Sequence, residues 1–216
     1  MVNPYQEKLH QAIKGKTYVF IDAANLERSV QDMWVNPKDI PDEFRKYPAD
    51  ELRWRIDYKK FNQFFKNICD LQNIRFYSAD FNTDSHFNFL WFLKKRLNFK
   101  LNTKPLKEYN DHTDTHPHRK ANFDVEIAVD TVHKLKDYKT FILFSGDCDF
   151  EYLLKFLRGQ GKISIVFSRT GHIAKELPPA VNHYFDIVDF RHELLRIELR
   201  PAKNPAVRQD SAVDVR

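Results

Sequence analysis

The sequence predicts an α/β fold with a mostly parallel central sheet and helices on both of its faces. Short apolar, β-rich runs alternate along the chain with stretches whose apolar residues recur at helical spacing, which is typical of βαβ units. The runs are apolar throughout rather than at every second residue, as expected of strands buried on both faces. Five strands are predicted, at 17–22, 74–80, 140–145, 163–168 and 184–190.

Helical periodicity predicts four helices, at 57–71, 84–97, 124–135 and 150–161. In the first of them Phe61, Phe64 and Phe65 share one face. The last ends at Gly159 and Gly161, and glycine commonly follows the last turn of a helix.

One large domain accounts for most of the 216 residues, of which 42% are hydrophobic. The segment 33–56 holds three prolines and two tryptophans and is interpreted as an ordered insertion. The tail after about residue 197 has little apolar content and is expected to be disordered or loosely attached. The predicted organisation is an N-terminal helical extension at 1–15, a domain at 16–192 with a polar loop at 108–119, and a C-terminal extension or tail at 193–216.

Composition excludes several classes of protein. No apolar run approaches the roughly 20 residues of a membrane span, and the N-terminus lacks an apolar signal core, so a cytoplasmic protein is expected. Cys69 and Cys148 are expected to be free thiols. The five glycines form neither a P-loop nor a dinucleotide motif. A net charge of +5 permits nucleic acid as a partner without requiring it.

Carboxylates stand where predicted strands end. Asp22 closes the first strand, with Asn25 three residues later, while Asp147 and Asp149 follow the strand at 140–145. Asp124 begins the helix that leads into that strand. If the two strands are neighbours, their carboxyl ends place Asp22 and Asp147 within reach of one hard cation such as Mg²⁺.

Each carboxylate also has an ordinary structural interpretation. An aspartate after a strand is often a turn residue or the N-cap of the next helix, and this alternative is strongest for Asp149, because a helix is predicted from Phe150. Asp124 could serve only to interact favourably with the dipole of its own helix, at the helix N-terminus. The joint placement of these acids is therefore more informative than any one of them.

Four segments in order resemble the NYN family, the LabA-like branch of the PIN-like nucleases: "VFIDAANL", "KANFDVEIAVD", "LFSGDCDFEYLLKFLRGQGK" and "ISIVFSRTGHIAKELPPAVNHYFDIVDF". The third, with its Ser-Gly-Asp-x-Asp-Phe sequence, is the most specific. The resemblance spans Lys16 to about Asp189. It implies a three-layer α/β/α sandwich of the PIN-like type.

The resemblance also implies a metal-dependent endoribonuclease that hydrolyses RNA with a bound Mg²⁺ or Mn²⁺. It identifies Asp22, Asp124 and Asp147 with the metal-binding acids, Asn25 with a site-orienting amide and Asp149 with an outer acid.

Asp130 and Ser145 form a second tier of candidates. Asp130 matches a family acid, yet on an ideal helix it lies opposite Val125 and Val132 and is interpreted as part of a solvated face.

Three departures from the family pattern concern substrate handling. Ala174 replaces a common Ser or Thr, Asn182 stands where an Asp is usual, and one extra residue separates Lys120 from Asp124. These departures leave open an alternative function, a catalytically weak RNA-binding or regulatory module on the same fold. A haloacid-dehalogenase phosphatase is disfavoured, because the paired aspartates come late in the chain and are followed by Phe150.

RNA, single-stranded or structured, is the expected partner, with phosphate contacts from lysine and arginine. A homodimer or a regulatory protein partner is left open. The candidate phosphate ligands are Arg119, Lys120, Arg169, Lys175, Lys94, Lys95 and Arg96. The last three could equally form a solvated basic face. His112, His116 and His118 are interpreted as part of a substrate-facing loop rather than a zinc site.

Overall fold

The computed structural model describes residues 3–109 and 118–201, with residues 107–109 and 118–120 described through their backbone only. The strands are β1 Lys16–Asp22, β2 Leu52–Ile56, β3 Asp70–Asp80, β4 Lys100–Pro105, β5 Lys107–Tyr109, β6 His118–Lys120, β7 Thr140–Phe144, β8 Ile163–Ser168, β9 His183–Asp186 and β10 Leu195–Leu199. The helices are α1 Pro4–Ala12, α2 Ala23–Gln31, α3 Tyr58–Ile68, α4 Asp84–Lys95, α5 Asp124–His133, α6 Glu151–Gly159, α7 Leu177–Ala180 and α8 Arg191–Leu194.

Six strands form one parallel sheet in the order β4-β3-β1-β7-β8-β9. β1 and β7 are neighbours at the centre, with Ile21 opposite Phe144. The carboxyl ends of these two strands therefore meet at the same edge of the sheet, as the predicted metal site requires. Two-stranded ribbons, β2 with β10 and β5 with β6, lie outside this sheet.

Helices cover both faces of the sheet and bury a separate core on each. One core contains residues of α1 to α4 together with Val19 and Ile21 of β1, and the other contains residues of α5 to α7 together with Phe20. Successive side chains of a strand point to opposite faces, so the continuous apolar run of β1 supplies both cores. The three-layer α/β/α sandwich with a parallel sheet is confirmed.

One predicted strand is shorter than expected. Residues 184–190 were predicted as a single strand, but β9 ends at Asp186 and a short 3₁₀ helix, Ile187–Phe190, follows. The Asp186 side chain accepts a hydrogen bond from the Val188 backbone N–H at 2.9 Å, which turns the chain. Ile187 and Phe190 nevertheless enter the core, which explains the apolar pattern.

The C-terminal segment is bound more firmly than predicted. β10 pairs in antiparallel register with β2, which closes the 33–56 segment, and Ile197 is buried. The Arg200 side chain donates to the Leu52 carbonyl at 3.0 Å. Loose attachment after about residue 197 is therefore wrong for the part described, up to residue 201.

Helix α5 presents a different face to the sheet from the one predicted. Its buried residues are Ile127 and Thr131, whereas Val125 is 70% exposed. Asp130 lies beside Ile127 on the helical wheel and consequently faces inward. The interpretation of Asp130 as part of a solvated face is wrong, because the exposed valines were taken for the core stripe.

Asp130 is held by three side chains of the neighbouring strands. Its Oδ2 accepts hydrogen bonds from Arg75 at 2.7 Å, from the Tyr77 hydroxyl at 2.7 Å and from Asn102 at 2.8 Å. Burial alone would raise the pKa of Asp130, but the hydrogen bonds from Tyr77 and Arg75 lower it overall. The carboxylate is therefore ionised at neutral pH and joins α5 to the sheet.

Asp130→Ala should lower the free energy of unfolding by about 2–3 kcal/mol, because it leaves the half-buried Arg75 guanidinium without its anion. Asp137→Ala is the control, since Asp137 is half-exposed and its ion pair within the described residues is with the nearby Lys134 at 3.6 Å, a contact worth less than about 1 kcal/mol. Urea unfolding of both variants measures the difference. Equal losses would show that the Asp130 network contributes no more than a surface pair.

None of the helices in the described part of the chain is both long and apolar enough to cross a lipid bilayer.

Candidate metal-dependent nuclease site

A cavity of about 680 Å³ opens where β1 and β7 end and α5 begins. Asp22, Asp124 and Asp147 all line it. These acids come from three separate segments of the chain, and the cavity brings them together. Tyr77 also lines the cavity, although its side chain is fully buried, so it forms a wall rather than an exposed stacking platform.

Asp22 occupies the junction of β1 and α2. Its Oδ1 accepts a hydrogen bond from the Asn25 backbone N–H at 3.3 Å, so that it caps α2. Its Oδ2 accepts one from the Ser145 hydroxyl at 3.3 Å. Capping and a position in the cavity are therefore compatible for this residue.

Asn25 and Ser145 connect the ends of β1 and β7. The Asn25 Oδ1 accepts a hydrogen bond from the Gly146 backbone N–H at 2.8 Å, and the Ser145 Oγ accepts one from the Asp147 N–H at 3.2 Å. The turn that carries Asp147 is thus held against the turn that carries Asp22. Asn25 and Ser145 therefore position the two acids, because each forms hydrogen bonds to the turns that carry Asp22 and Asp147.

The surroundings of Asp22 disfavour its charged form. Burial, and then the negative charges of Asp124 and Asp147, raise the pKa of Asp22 to about 6, against the lowering effect of its hydrogen bonds to Asn25 and Ser145. An ionised Asp22 is therefore destabilised by its surroundings, and a bound cation would relieve that repulsion.

Asp22→Asn should stabilise the protein in EDTA at neutral pH, because it removes the buried charge while the amide oxygen can still accept from Asn25. Since the folded-state pKa of Asp22 is raised from 3.8 to about 6, the gain should grow from pH 4 to pH 6 and level off above it. Its size should be about 2–3 kcal/mol. Thermal melts across this pH range measure the gain, with Asp50→Asn, an exposed carboxylate, as control. A lower melting temperature for Asp22→Asn than for the wild-type protein at pH 7.5 would contradict the prediction that ionised Asp22 destabilises the fold.

A tighter group of potential ligands lies at the rim. Within the described residues, Asp147, Cys148 and Asp149 form the group whose ligand atoms all lie within 4.8 Å of one another. Asp22, Asp124 and Asp147 surround a wider space. Partial desolvation, together with the charges of Asp147 and Asp149, raises the pKa of Cys148, so the thiol stays protonated and the carboxylates are the donors.

Asp149 does not cap the helix that follows it. The Asp147 Oδ1 accepts from the Asp149 backbone N–H at 3.2 Å, and α6 begins after Phe150 with no side-chain cap. The capping alternative for Asp149 is therefore wrong, because Asp147 makes the turn. Asp149 is exposed and lies outside the cavity lining.

The NYN domain family model matches residues 16–188. The chain is a member of the NYN domain family. The low amplitude and bright protein LabA of Synechococcus elongatus is 36% identical over 103 residues, which cover 47% of this chain and 55% of that protein. The match thus spans about half the length of this relative.

A solved structure has the same fold as this NYN protein. It is the crystal structure of a protein of unknown function from Vibrio parahaemolyticus, with a TM-score of 0.62 and 19% identity over 85% of this chain and 97% of that one. At this level of identity the likeness shows the fold alone. NYN domains belong to the PIN-like nuclease superfamily.

The donor set of this NYN domain fits a hard divalent cation. Carboxylate oxygens are ligands that Mg²⁺ and Mn²⁺ prefer, and Asp22, Asp124 and Asp147 offer them around one cavity. Among the described residues that line it there is no histidine or cysteine. Burial first, and then the charges of Asp124 and Asp147, raise the pKa of Asp22, so a bound cation would stabilise its ionised form.

The predicted basic residues whose side chains the structure describes do not gather at the acids. Lys94 and Lys95 line a separate groove of about 740 Å³, and the Arg96 guanidinium lies 5.7 Å from the centre of the Trp91 ring. Arg169 contacts His172, and Lys175 is exposed; neither lines the acid cavity. The side chains of Arg119 and Lys120, like residues His112 and His116, lie outside the described part of the chain.

Arg28 is a cavity residue that the sequence analysis missed. It is exposed and lines the cavity with Asp22, so it offers a cation for substrate phosphate. The sequence did contain a signal for Arg28. It follows Asn25 by three positions, so the two residues share a face of α2.

The two departures in the closing segment have different structural roles. Asn182 accepts hydrogen bonds from the Ser164 backbone N–H and hydroxyl, at the start of β8 and thus at the sheet edge opposite the acids. Its expected place at the substrate rim is wrong. The Ala174 N–H donates to the Gly146 carbonyl at 2.9 Å, so this residue does touch the turn that leads to Asp147.

Proposed function

We propose that this NYN-domain protein is an endoribonuclease that hydrolyses RNA phosphodiester bonds with a divalent cation, Mg²⁺ or Mn²⁺. The observation that carries the proposal is the convergence of Asp22, Asp124 and Asp147 on one cavity. The raised pKa of Asp22, caused first by burial and then by the charges of Asp124 and Asp147, supports it, since a bound cation would stabilise the ionised carboxylate.

Each residue of the cavity has a distinct part in this proposal. The three carboxylates hold the cation, and Asn25 and Ser145 keep the turns that bear Asp22 and Asp147 together. When bound, a divalent cation lowers the pKa of a coordinated water and stabilises charge on the phosphate under attack. Arg28 is placed to contact a phosphate oxygen at the mouth of the cavity.

Hydrolysis adds the oxygen of one water to phosphorus and breaks one P–O bond to the leaving nucleotide, which takes up a proton. A carboxylate beside the attacking water can accept the proton it releases. Asp149, the outer acid of the site, is exposed at the rim next to Asp147. It is proposed as the carboxylate that accepts this proton.

A direct test is incubation of the purified protein with labelled RNA in Mn²⁺, in Mg²⁺ and in EDTA. Products that form with a cation and disappear in EDTA are expected. Intact RNA under all three conditions, in a preparation that binds the RNA, would contradict the proposal.

A catalytically weak RNA-binding module on the same fold is the second candidate. It is favoured by the wide spacing of Asp22, Asp124 and Asp147, which are not among the described groups of ligand atoms within 4.8 Å of one another. Binding without products in the same assay would support it.

We also propose a cytoplasmic location. Cys69 and Cys148 are both unpaired, as is usual for proteins of a reducing compartment.

A further inference from the structure

A second cavity adjoins the acid cavity, and its lining combines aromatic rings with arginines. It has a volume of about 560 Å³ and is lined by Phe81, His86, Phe89, Tyr58, Arg55 and Arg196, among others. We call it the aromatic cleft. Ala23, Glu27, Ser78 and Phe81 line both cavities, so a ligand can extend from one into the other.

Phe81 stands on the wall that the two cavities share. It directly follows β3, and its side chain is 53% exposed, although burial of a phenylalanine side chain is worth about 2–3 kcal/mol. Its ring meets the His86 ring edge-on, with centroids 4.9 Å apart. An exposed ring beside a phosphodiester site offers a stacking surface for a nucleobase.

His86 adds an unused polar atom to the same cleft. Its Nε2 is buried and has no hydrogen-bond partner within the described residues. A buried polar atom without a partner is costly. The His86 ring also lines the cleft and packs against Phe81, so it supports the wall on which Phe81 stands.

Two arginines face each other at the other side of the cleft. Arg55 of β2 and Arg196 of β10 are direct cross-strand partners, an arrangement of like charges that destabilises a sheet. Glu27 and Glu198 pair with Arg55 at 3.1 and 3.5 Å, and Glu198 also pairs with Arg196 at 3.2 Å. The arginines remain partly exposed, so a phosphate can approach them.

We propose that the aromatic cleft binds the base of an unpaired nucleotide adjacent to the bond that is cleaved, with Phe81 stacking on the base and Arg55 and Arg196 contacting its phosphate. The inference rests on the proposed function, because the acid cavity defines where the bond is cut. It makes single-stranded RNA the substrate class, since a base must leave its helix to stack on a side chain.

The two arginines of the cleft come from the β2–β10 ribbon, which lies outside the six-stranded sheet. Arg55 is the penultimate residue of the 33–56 segment, and Arg196 lies beyond the residues matched by the family model, which stop at 188. Pairing of β2 with β10 brings these two arginines together. The ribbon thus adds charged groups to a cleft whose aromatic wall belongs to the NYN domain.

The test compares RNA binding by Phe81→Ala and Phe87→Ala in protein that also carries Asp147→Asn, so that the RNA stays intact in Mn²⁺. Phe87 is 68% exposed and lines neither cavity, which makes it a matched control. Fluorescence anisotropy with a short single-stranded RNA should show about tenfold weaker binding for Phe81→Ala, with Phe87→Ala unchanged. Phe81→Trp should bind like the parent.

A blunt duplex of the same sequence separates stacking from general attraction, since Phe81→Ala should not change its affinity. Arg196→Ala should weaken single-strand binding and reduce its salt dependence, while Arg45→Ala, an exposed arginine paired with Asp42, should do neither. Equal RNA affinities for Phe81→Ala and its parent, or equal losses of affinity for the single-stranded RNA and the duplex, would overturn the proposal that the aromatic cleft binds a base. Absence of cleavage by the wild-type protein would instead refute the nuclease proposal and leave this binding comparison valid.

Discussion

Asp147→Asn is expected to reduce RNA cleavage by about 100-fold or more while the protein remains folded. Asp147 lines the acid cavity and is also one of the rim ligands, so its charge contributes to both arrangements of donors. Metal-assisted stabilisation of a phosphoryl transition state is worth several kcal/mol, and each 1.36 kcal/mol changes the rate tenfold. Initial rates on labelled RNA in Mn²⁺ measure the effect.

The fold should survive this change because the amide keeps the local hydrogen bond. Asp147 Oδ1 accepts from the Asp149 N–H at 3.2 Å, and an asparagine oxygen can do the same. Asp149→Asn should have a smaller effect, since Asp149 lies outside the cavity lining. Asp50→Asn, with an exposed side chain, is the control for charge alone. An unaltered rate for Asp147→Asn would refute the nuclease proposal.

Gly146→Ala is expected to destabilise the protein by about 3 kcal/mol and to abolish cleavage. A Cβ at this position would lie 2.1 Å from the His172 carbonyl oxygen and 2.6 Å from the Ser168 Oγ. The closest clash is with backbone, so the loop after β8 has to move, and insertions into a packed site cost about 1–3 kcal/mol or more. Displacement of this turn also moves Asp147.

Gly159→Ala provides a matched control, since nothing lies within 4 Å of a Cβ added there and its φ is not in the left-handed region. It should leave stability unchanged or raise it slightly. Urea unfolding and cleavage rates of the two variants measure the contrast. If Gly146→Ala were as stable as the wild-type protein, the loop after β8 would be able to move away from the added Cβ without loss of stability.

Gly146 is required for a reason that no local pattern shows. It is not among the residues of positive φ, so its backbone conformation does not demand a glycine. It is required because the backbone of another segment lies against it. A contact between residues 146 and 172 depends on the packed fold and has no local signal.

The central strands and the acids were predictable because both depend on local pattern. A strand buried on two faces is apolar throughout, and parallel strands bring their carboxyl ends to one edge. These two rules place Asp22 and Asp147 at the same edge of the sheet, and the pairing of β1 with β7 in the structure makes them neighbours there. Phe81 was not predictable as a site residue, since an exposed and a buried phenylalanine look alike in sequence.

By itself, then, the sequence determined the family, through the resemblance of four segments. It also determined the parallel sheet and the positions of Asp22, Asp124 and Asp147 along the chain, because hydrophobic periodicity and strand-end placement are local properties. Only the tertiary structure decided which face of α5 is buried, that β10 pairs with β2, and that Arg55, Arg196 and Phe81 line one cleft. These features depend on contacts between residues far apart in the chain, and the sequence of any one segment does not determine such contacts.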